Sequence, residues 1–545
     1  YSSSSTERSA SYNHYYMSSY DPSSMEYKIT RIGDEQSTAL TNDGSRNGDR
    51  KMYFQAILDY NRIFKEVHDL NIMFLYNQEQ YDINGPTTLF SSLPQRKQGV
   101  AGRVSYSYDG RYYIEGNFGY NGSENFAKGH RFGFFPSIAV GYNISNEKFW
   151  QPIKPVISNL KIRGSWGLVG NDATNAGRFA YMEDLVLGGS DSYTTGIRQD
   201  TYYSGPSWNR YFNPDLTWEV GEKINLGLDL QLFNDFNLTF DIFREKRRDI
   251  FMTRENSIPE IVGTGETKIT SNNGEMENKG LDLAIDYNKQ ITKDFFLSFK
   301  STLTFARNKV LKMDEPPYFE YPGLSDVGHP LGTYWGYVAD GLFPDQETID
   351  NSPRQDLGYT PQPGDIKYVN QPNAKGEYDN VINSNDRVAI GHPYDPELVY
   401  GFGPSMKWKN WDFSFFFQGV ARTSFMMYGM HPFGTTSIKN MLQFVADDHW
   451  SVDNPNPNAA YPRLTKDSNG NNDQYSTYWL RNAAFLKLKN AEIGYTYKGM
   501  RFYLSGVNLL TFSPFKHWDP EMGGGNGLYY PTQRVFNIGF QMTIQ

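Results

Sequence analysis

Residues 224–243 alternate between apolar and polar side chains, and this pattern constrains the fold more than any other feature of the chain. The alternation continues on both sides of a two-residue break at Asn234-Asp235. Since successive side chains of a strand point to opposite faces, the segment predicts a β-hairpin with one apolar face and one polar face. The apolar set is Leu226, Leu228, Leu230, Leu232, Phe236, Leu238, Phe240 and Ile242, and the polar set includes Asp229, Gln231, Asn237, Thr239 and Asp241.

Two architectures can accommodate such a hairpin. A soluble sandwich would bury the apolar face against a second sheet. A transmembrane antiparallel β-barrel would turn the apolar face to lipid and the polar face to a wet lumen. The last segment favours the barrel, because five consecutive alternate positions are apolar and lipid offers a partner of matching length. These positions are Phe536, Ile538, Phe540, Met542 and Ile544.

Alternation and β-forming residues predict fifteen strands along the chain. Several runs reach the roughly ten residues with which a tilted strand crosses a bilayer. In residues 485–497 the apolar phase slips by one position, which predicts a β-bulge near Asn490. The predicted strands lie near 51–64, 68–80, 100–109, 111–122, 131–145, 159–170, 217–233, 235–252, 274–291, 294–312, 398–409, 411–423, 483–497, 500–511 and 534–545.

Short and long connections alternate between these strands. An up-and-down sheet places every second connection at the same end, so the connections are short at one end of the sheet and long at the other. Outer-membrane barrels combine short periplasmic turns with long extracellular loops in this way. The short turns are Asp109-Gly110, Asn234-Asp235, Thr292-Lys293, Asn410 and Lys498-Gly499, and the long connections are 81–99, 171–216, 253–273, 313–397, 424–482 and 512–533.

Composition excludes several classes of protein. Only 38% of the 545 residues are hydrophobic, and no stretch resembles the roughly 20 apolar residues of a membrane-spanning helix. The chain has no cysteine, which excludes disulfides, thiolate metal sites and cysteine nucleophiles. The net charge of −9 without a basic run argues against a nucleic-acid partner.

The chain divides into two parts in this interpretation. The polar residues 1–50 lack the pattern of a signal peptide and are predicted to form a long extracellular loop and lead-in, so the chain is expected to begin in mid-structure. Residues 51–545 are predicted to form the C-terminal part of a transmembrane β-barrel. Its longest extracellular loops are 171–216, 313–397 and 424–482.

Several stretches resemble one family, in the same order as in its members. The chain is similar to the C-terminal barrel portion of SusC/RagA-like TonB-dependent outer-membrane transporters of Bacteroidetes. The likeness runs from about residue 50 to the end. The stretches that carry it include LKIRGSWGLVGND (160–172), PELVYGFGPSMKWKNWDFSFFFQG (396–419), FLKLKNAEIGYTY (485–497) and GVNLLTFSPFKHWDPEMGGG (506–525), together with residues 93–150.

The resemblance implies a multi-pass barrel of about 22 strands in the outer membrane of a Gram-negative bacterium, with its lumen filled by a plug. About 15 of those strands would lie in this chain, and the plug domain and the TonB-contacting segment would not. A barrel lacking some seven strands would expose two unpaired edges to lipid. The chain is therefore expected to be one part of a longer protein.

The family also implies a function, namely TonB-dependent import of an oligomeric nutrient, glycan or peptide. A SusD-like surface lipoprotein would act as a lid, TonB-ExbB-ExbD would supply energy through the N-terminal part, and transporter–lid pairs could form a dimer. Two alternatives stay open. One is a receptor for siderophores or cobalamin with the same architecture, and the other is a surface or adhesive barrel without transport.

No catalytic set emerges from the sequence, so no enzymatic activity is predicted. None of the eight histidines stands in a HExxH spacing or beside a GxSxG elbow. No cofactor is predicted, except that residues 364–391 resemble a family loop whose oxygens could ligate calcium. The segment departs from the EF-hand pattern, and capping of turns is the alternative role. The candidate calcium ligands are Asp365, Asn383, Asn385 and Asp386.

Aromatic residues of the long loops are the substrate-binding candidates. Tyrosine and tryptophan faces stack on sugar rings and contact peptides, although they also hold loops together. Three loops contribute such residues. Loop 171–216 contains Trp208, Arg210 and Tyr211, loop 313–397 contains Trp335 and Tyr337, and loop 424–482 contains Tyr428.

Overall fold

A sheet of sixteen strands forms most of the computed structural model, which describes residues 2–10, 15–21, 23–32, 41–86, 88–173, 177–187, 192–254, 256–262, 269–428, 442–465 and 469–542. Each strand pairs antiparallel with its neighbours in chain order, and the first and last strands have one neighbour each. The strands are β1 (Ser2–Ala10), β2 (Thr41–Phe64), β3 (His68–Asn84), β4 (Gln95–Tyr108), β5 (Tyr112–Ser123), β6 (Phe132–Asn143), β7 (Ile157–Asn171), β8 (Glu219–Leu232), β9 (Phe236–Arg254), β10 (Ile269–Thr292), β11 (Phe295–Lys312), β12 (Leu398–Trp408), β13 (Trp411–Ala421), β14 (Phe485–Tyr497), β15 (Met500–Phe512) and β16 (Val535–Met542).

The remaining secondary structure lies in the connections. Short strand pairs join Tyr15–Asp21 to Glu26–Ile32, Asp184–Val186 to Ser207–Arg210, Ser192–Thr195 to Thr201–Ser204, Tyr334–Gly336 to Val388–Ile390, Ala339–Leu342 to Ile366–Tyr368, Arg354–Gln355 to Val381–Ile382 and Ser424–Met426 to Leu480–Asn482. The α-helices are Leu89–Ser92, Gln346–Asp350 and Gln443–Asp447, and the 3-10 turns are Ile144–Asn146, Lys148–Trp150, Glu260–Val262, Pro322–Leu324, Ser384–Asp386 and Pro520–Met522. Across the described ranges, no helix has the length and apolar character needed to cross a membrane.

The fifteen predicted strands are confirmed as β2 to β16, with shifts at their ends. Positions 543–545 of the last predicted strand, which include Ile544, lie outside the described residues. The predicted bulge is also present. The pairing of β14 with β13 and with β15 skips one residue between Leu488 and Asn490. Lys489 is therefore the extra residue, one position from the predicted site. Above and below it, apolar side chains keep the same face of the strand.

Residues 1–50, predicted as loop and lead-in, contain β1, a strand pair and the beginning of β2. β1 pairs with Thr41–Asp49, which precedes the alternating part of β2. At 24 residues, β2 is far longer than a bilayer crossing of about ten residues. The two faces of a strand that extends beyond the lipid meet the same solvent, so no alternation marks it in the sequence.

Two of the short turns, Asp109-Gly110 and Lys498-Gly499, have the backbone that tight hairpins require. Type I′ turns need positive φ at both central residues, because their twist matches that of the strands. Asp109 and Gly110 have φ values of 52° and 61°, and Lys498 and Gly499 have φ values of 45° and 80°. Glycine adopts this conformation without steric cost, which explains its second position in both turns.

The apolar face of the strands is not covered by protein. Leu226 on β8 is 57% exposed, and the apolar positions of β16 are exposed as well. Leu228 and Phe240 are only partly buried, so no dry two-layer core encloses them. β1 and β16 form the two edges of the sheet, and within the described residues no pairing joins one edge to the other.

The two buried hydrophobic clusters consist mainly of residues from the long loops. The larger cluster, called here the loop core, unites residues from loops 313–397, 424–482 and 512–533. The smaller cluster contains Phe126, Ala180, Leu216, Trp218 and Phe251. The loop core contains Tyr337, Leu342, Ile366, Tyr368, Ile382, Ile390, Phe425, Met426, Met427, Val445, Trp450, Ala459, Tyr461, Trp479, Ala483 and Phe515.

Candidate functional site

The polar face of the sheet carries ion pairs that cross several strands. Arg163 on β7 lies 3.3 Å from Asp229 of β8 and 2.6 Å from Asp241 of β9. Gly227 lies between Arg163 and Asp241 in the register, and a Cβ there would approach the guanidinium carbon to 2.5 Å. Glycine at this position therefore lets the arginine reach across a strand. The pairing register also puts the other predicted polar positions on this face, with Gln231 opposite Asn237 and Asp229 opposite Thr239.

A second ion-pair group repeats this geometry at the far side of the sheet. Nε of Arg501 on β15 donates to Asp412 of β13 over 3.0 Å, and its Nη2 donates to Glu492 over 2.5 Å. Gly494 of β14 lies opposite Asp412 in the register, and a Cβ there would meet both Arg501 and Asp412. The inner wall is therefore polar and charged at widely separated strands, as a water-filled lumen requires.

The loops above the strands attach to this inner face. Lys487 of β14 pairs with Gln418 on the polar side of the sheet, and the lysine is 0% exposed. Its ammonium group lies 2.7 Å from Asp519 and 2.5 Å from Glu521, both in loop 512–533. Phe135, on the polar face of β6, packs against Trp218 of the smaller cluster at a ring distance of 5.4 Å. The loops therefore fold inward over the lumen side of the wall.

A buried polar network supports the loop core. Asp365 is 0% exposed, and its carboxylate accepts hydrogen bonds from Arg463 (2.7 Å), Asn469 (3.0 Å) and Asn472 (2.9 Å). Its other oxygen accepts from the backbone of Gln362 over 2.8 Å. Burying a charge is costly unless it is paired and hydrogen-bonded, and here both conditions are met. The network links loop 313–397 to loop 424–482.

A cavity of about 220 Å³ lies beside this network. Aromatic, aliphatic, guanidinium and amide groups share its wall, a combination that suits binding of polar organic molecules. Tyr428 is exposed at the cavity, whereas Trp479 is buried behind it. The lining residues are Met427, Tyr428, Val445, Tyr461, Pro462, Arg463, Leu464, Thr465, Asn469, Asn472, Asp473 and Trp479.

The protonation states of the cavity follow from burial and from Asp365. Burial raises the pKa of Tyr461, so its hydroxyl stays neutral at physiological pH. Burial disfavours the charge of Arg463, but the hydrogen bond and the charge of Asp365 outweigh burial and raise the pKa of the arginine. The cavity therefore presents a fixed cation, neutral hydroxyls and amides next to aromatic rings. Such groups can stack on rings and hydrogen-bond to hydroxyl, carbonyl or carboxylate oxygens.

Among the predicted substrate-binding residues, Tyr428 lines the cavity and Tyr337 does not. Tyr337 is 3% exposed in the loop core, with its ring 5.2 Å from that of Tyr368. A ring buried in this way packs the loops together in this structure, and a role of Tyr337 in substrate binding stays a prediction. Trp335 is partly buried and donates from Nε1 to Asp326 over 2.6 Å, within the same loop.

The remaining three candidates form a separate group. Trp208 and Tyr211 stack at a ring distance of 5.4 Å, and the Arg210 guanidinium lies 4.8 Å from the centre of the Phe90 ring. Arg210 also donates to the carbonyl of Met182 over 2.8 Å. These contacts join loop 171–216 to loop 81–99. Tyr428 lines the cavity and these three residues do not, so the aromatic candidates are not all placed at one site.

The candidate calcium ligands act as hydrogen-bond acceptors in the described structure. Asp386 accepts from the backbone of Gln371 (2.7 Å) and of Asn383 (2.8 Å), and the Asn383 side chain accepts from the backbone of Asn385. Burial raises the pKa of Asp386. The Asp365 carboxylate accepts from Arg463, Asn469 and Asn472 in the buried network described above. In the described part of the chain, no group of three or more His, Cys, Asp or Glu side chains is arranged to hold a metal, and calcium stays a prediction.

Sequence reasoning missed most of the cavity. Tyr461, Arg463 and Trp479 stand in loop 424–482, within the stretches YPRLT (461–465) and YWLRN (478–482). An arginine close to aromatic residues in a long loop is a usable signal, and the same criterion selected Trp208 and Arg210. Asn469 and Asn472 carry no comparable signal, because asparagine is common in turns.

Comparison with known families matches residues 1–509 to the family described as TonB dependent receptor-like, beta-barrel. The chain belongs to this family. It is therefore a multi-pass β-barrel portion in the outer membrane of a Gram-negative bacterium, as the exposed apolar face of its sheet requires.

Individual relatives refine this classification. The chain is similar to TonB-dependent receptor SusC of Bacteroides thetaiotaomicron, with 29% identity over 468 residues, 81% of this chain and 43% of the relative. TonB-dependent receptor P3 of Formosa agariphila is 27% identical over 478 residues, 81% of this chain and 45% of the relative. The chain spans about half the length of the curated relatives it matches.

Solved structures show the same fold. The structure of the RagAB peptide transporter superposes with a TM-score of 0.71 and 21% identity, covering 92% of this chain and 56% of that chain. An open state of the RagAB peptide importer also gives 0.71, with 94% of this chain covered. The likeness confirms the barrel architecture.

Proposed function

We propose that the protein containing this chain imports an oligomeric nutrient, a glycan or a peptide, across the outer membrane in a TonB-dependent manner. A SusD-like lipoprotein would cover the loops as a lid, and TonB-ExbB-ExbD would act through the part of the protein outside this chain. The long loops 313–397, 424–482 and 512–533, which form the loop core, are called here the loop cap. The observation that carries the proposal is that this loop cap folds inward over a charged lumen and holds a cavity with aromatic, guanidinium and amide groups.

Several features support this proposal over a barrel without transport. The inner wall is lined by ion pairs such as Arg163–Asp241, which suit passage of a hydrated solute past a polar surface. The relatives are named TonB-dependent receptors, and the structural relative is a peptide transporter. Glycan and peptide both remain within the proposal, since Tyr428 and Arg463 suit stacking on sugars as well as contacts to peptide carbonyls.

Growth of a deletion strain on single glycans and peptides tests the proposal. We expect a growth defect on one class of oligomer and normal growth on its monomers, with uptake abolished by a protonophore. Pull-down of the complete protein should recover a lipoprotein lid and show whether transporter–lid pairs dimerise. A defect confined to iron or cobalamin limitation would refute import of an oligomer and favour the receptor for siderophores or cobalamin. Normal growth under all of these conditions would favour the barrel without transport.

A variant of the cavity links transport to the site. Tyr428→Ala removes an exposed ring at the cavity, and aromatic contacts contribute about 0.5–1.5 kcal/mol. We expect uptake at low substrate concentration to fall about two- to tenfold. Tyr378→Ala is the matched control, because Tyr378 is an exposed tyrosine of loop 313–397 that does not line the cavity. Equal effects of the two variants on uptake would show that the cavity does not contribute to transport.

A further inference from the structure

The apolar outer face of three adjacent strands ends at one level. Ile242 on β9 pairs with Leu281 on β10, which pairs with Phe305 on β11, so the three form a row across the wall. All three lie on the face that is not covered by protein. In an outer-membrane barrel, the end of the apolar band marks the boundary between hydrocarbon and headgroups.

The next two rows on the same face are rich in cations. Arg244, Lys279 and Arg307 pair directly across the three strands and form the first row above the apolar one. Like charges directly opposite each other are destabilising. The second row consists of Lys246, Glu277 and Lys309.

One carboxylate therefore stands among five cations in these two rows. Glu277 accepts from Arg244 over 2.6 Å and lies 2.7 Å from the ammonium group of Lys279. Lys309 has no ion pair in the described structure. The side chains point outward and are accessible, with 60% exposure for Lys279 and 56% for Arg307.

Carboxylates at the margin offset this charge only in part. Lys246 lies 3.0 Å from Glu275. Arg307 lies 3.1 Å from Glu397, but that carboxylate also binds Arg422 over 2.7 Å. Glu222 of β8 stands directly opposite Lys246 in the register and adds one more carboxylate at this level. The five cations of the two rows still outnumber the four carboxylates Glu222, Glu275, Glu277 and Glu397, and the excess faces the headgroup level and not the lumen.

A depression of about 590 Å³ joins the cations to the apolar row. Ile242, Leu281 and Phe305 contribute its apolar part, and its charged part consists of the three cations Lys279, Arg307 and Lys309 and the carboxylate Glu277. Gly328 and Pro330 of loop 313–397 also line it. The surface is therefore concave and amphipathic, with its charged side directed away from the membrane.

The arrangement is local to this part of the wall. On β4, β5 and β6, the corresponding position above the apolar and aromatic row is occupied by Gln98, Gly122 and Phe132. These residues carry no charge. The next position on this face of β4 is Arg96, which lies 3.8 Å from Glu124. A row of three directly opposed cations is thus present on β9 to β11 and has no equivalent in the corresponding row of β4 to β6.

We infer that this patch binds a phosphate-bearing lipid of the outer leaflet. The phosphate would lie among Lys279, Arg307 and Lys309, and the acyl chains would pack along Ile242, Leu281 and Phe305. Basic side chains at a membrane surface attract anionic headgroups with about 1 kcal/mol each. The inference concerns the outer wall and does not depend on the cargo of the transporter.

Native mass spectrometry of the complete protein, titrated with phosphorylated lipid A in detergent, tests this inference. We expect retention of phosphorylated lipid A and clearly weaker retention of the same lipid after removal of its phosphates. Lys279→Gln combined with Lys309→Gln should weaken binding roughly thirtyfold, because two basic side chains are lost. Glu277→Gln should strengthen binding several-fold, because it removes the only carboxylate within the two rows.

Lys289→Gln is the matched control, since Lys289 lies on the same face of β10 near the short-turn end. It should leave binding unchanged. Heat-modifiable migration of each variant verifies folding, and the opposite sign expected for Glu277→Gln keeps the test valid if the double variant fails to fold. Equal retention of both lipids, equal loss in the Lys289 variant, or displacement by millimolar inorganic phosphate would overturn the inference.

Discussion

The wall of the sheet and the loop cap are stabilised in opposite ways. In the wall, large apolar side chains such as Leu226 and Phe540 are exposed, and the opposite face carries ion pairs. In the cap, Phe425 and Tyr368 are buried among residues from three loops. A soluble protein has its core between layers of regular structure. Here the regular structure lacks that core, so the layer that covers it must be lipid.

This contrast implies that the two regions can be perturbed separately. The cap derives its stability from close packing, which responds strongly to cavities. The wall derives its stability from backbone pairing and from matching its apolar face to hydrocarbon. A substitution that disrupts packing in the cap should therefore leave the stability of the wall largely unchanged. A substitution that places a charge on the lipid-facing side of the wall should leave the cap largely unchanged.

The largest expected effect comes from the loop core. Phe425 is almost fully buried, with its ring 4.9 Å from that of Phe515. Phe425→Ala should cost about 3–5 kcal/mol of local stability. Hydrogen exchange of the complete protein should then show lost protection in loops 313–397 and 424–482 and unchanged protection in β8 to β11. Phe319→Ala, at an exposed loop position, should change neither, and loss of protection in the wall would contradict the separation.

The wall should respond next most strongly, and only on one face. Leu228→Arg introduces a charge into the middle of the outer apolar run of β8. A charge at that depth costs about 2–4 kcal/mol in barrels of this type. Gln231→Arg on the lumen face should cost far less. Urea unfolding in lipid vesicles measures both, and similar costs for the two arginines would argue against lipid on one face and water on the other.

Ion pairs of the lumen should contribute little to stability. Arg163 and Asp241 are partly exposed, and pairs in contact with water contribute about 0–1 kcal/mol. A double-mutant cycle of Arg163→Gln and Asp241→Asn should give a coupling energy below about 1 kcal/mol. A much larger coupling would indicate a dry lumen at this level.

The smallest effect concerns pH and the cap. Burial and the charge of Arg481 lower the pKa of His517, whose ring stacks on Phe444 at 4.2 Å. The unfolded chain then binds more protons than the folded cap between the lowered pKa and the ordinary value of 6.5. Stability should therefore decrease slightly as pH falls through 6.5. Melting curves of His517→Gln should lack this decrease, and a stronger decrease in that variant would contradict it.

The wall could be predicted from sequence because lipid imposes a repeating constraint. Every second residue of a crossing strand must tolerate hydrocarbon, so alternation in residues 224–243 located β8 and β9, and a one-residue slip located the bulge at Lys489. β1 was not predicted, since a strand above the lipid needs no such pattern. The long loops were located by the absence of alternation alone.

The cap could not be predicted in the same way. Its core unites residues far apart in the chain, such as Tyr368 and Trp479. No periodic pattern in the loop sequences indicates which of their aromatic residues are buried. Tyr337 and Tyr428 looked alike in sequence, yet one is enclosed and the other lines the cavity. Asp365 is a candidate calcium ligand from the sequence because residues 364–391 resemble a family loop rich in oxygen ligands, whereas its hydrogen-bond partner Arg463 stands 98 positions away.

The separation of lipid and water by this sheet is most directly measured with spin labels. The chain contains no cysteine, so single cysteines at successive positions 236–242 can be labelled in the complete protein within lipid vesicles, after replacement of any cysteine in the rest of it. Spin labels at the even positions, on the lipid face, should be relaxed mainly by oxygen. Spin labels at the odd positions, on the lumen face, should be relaxed mainly by a water-soluble nickel chelate. Low accessibility to both reagents at the even positions would mean that protein covers this face, and it would contradict the barrel.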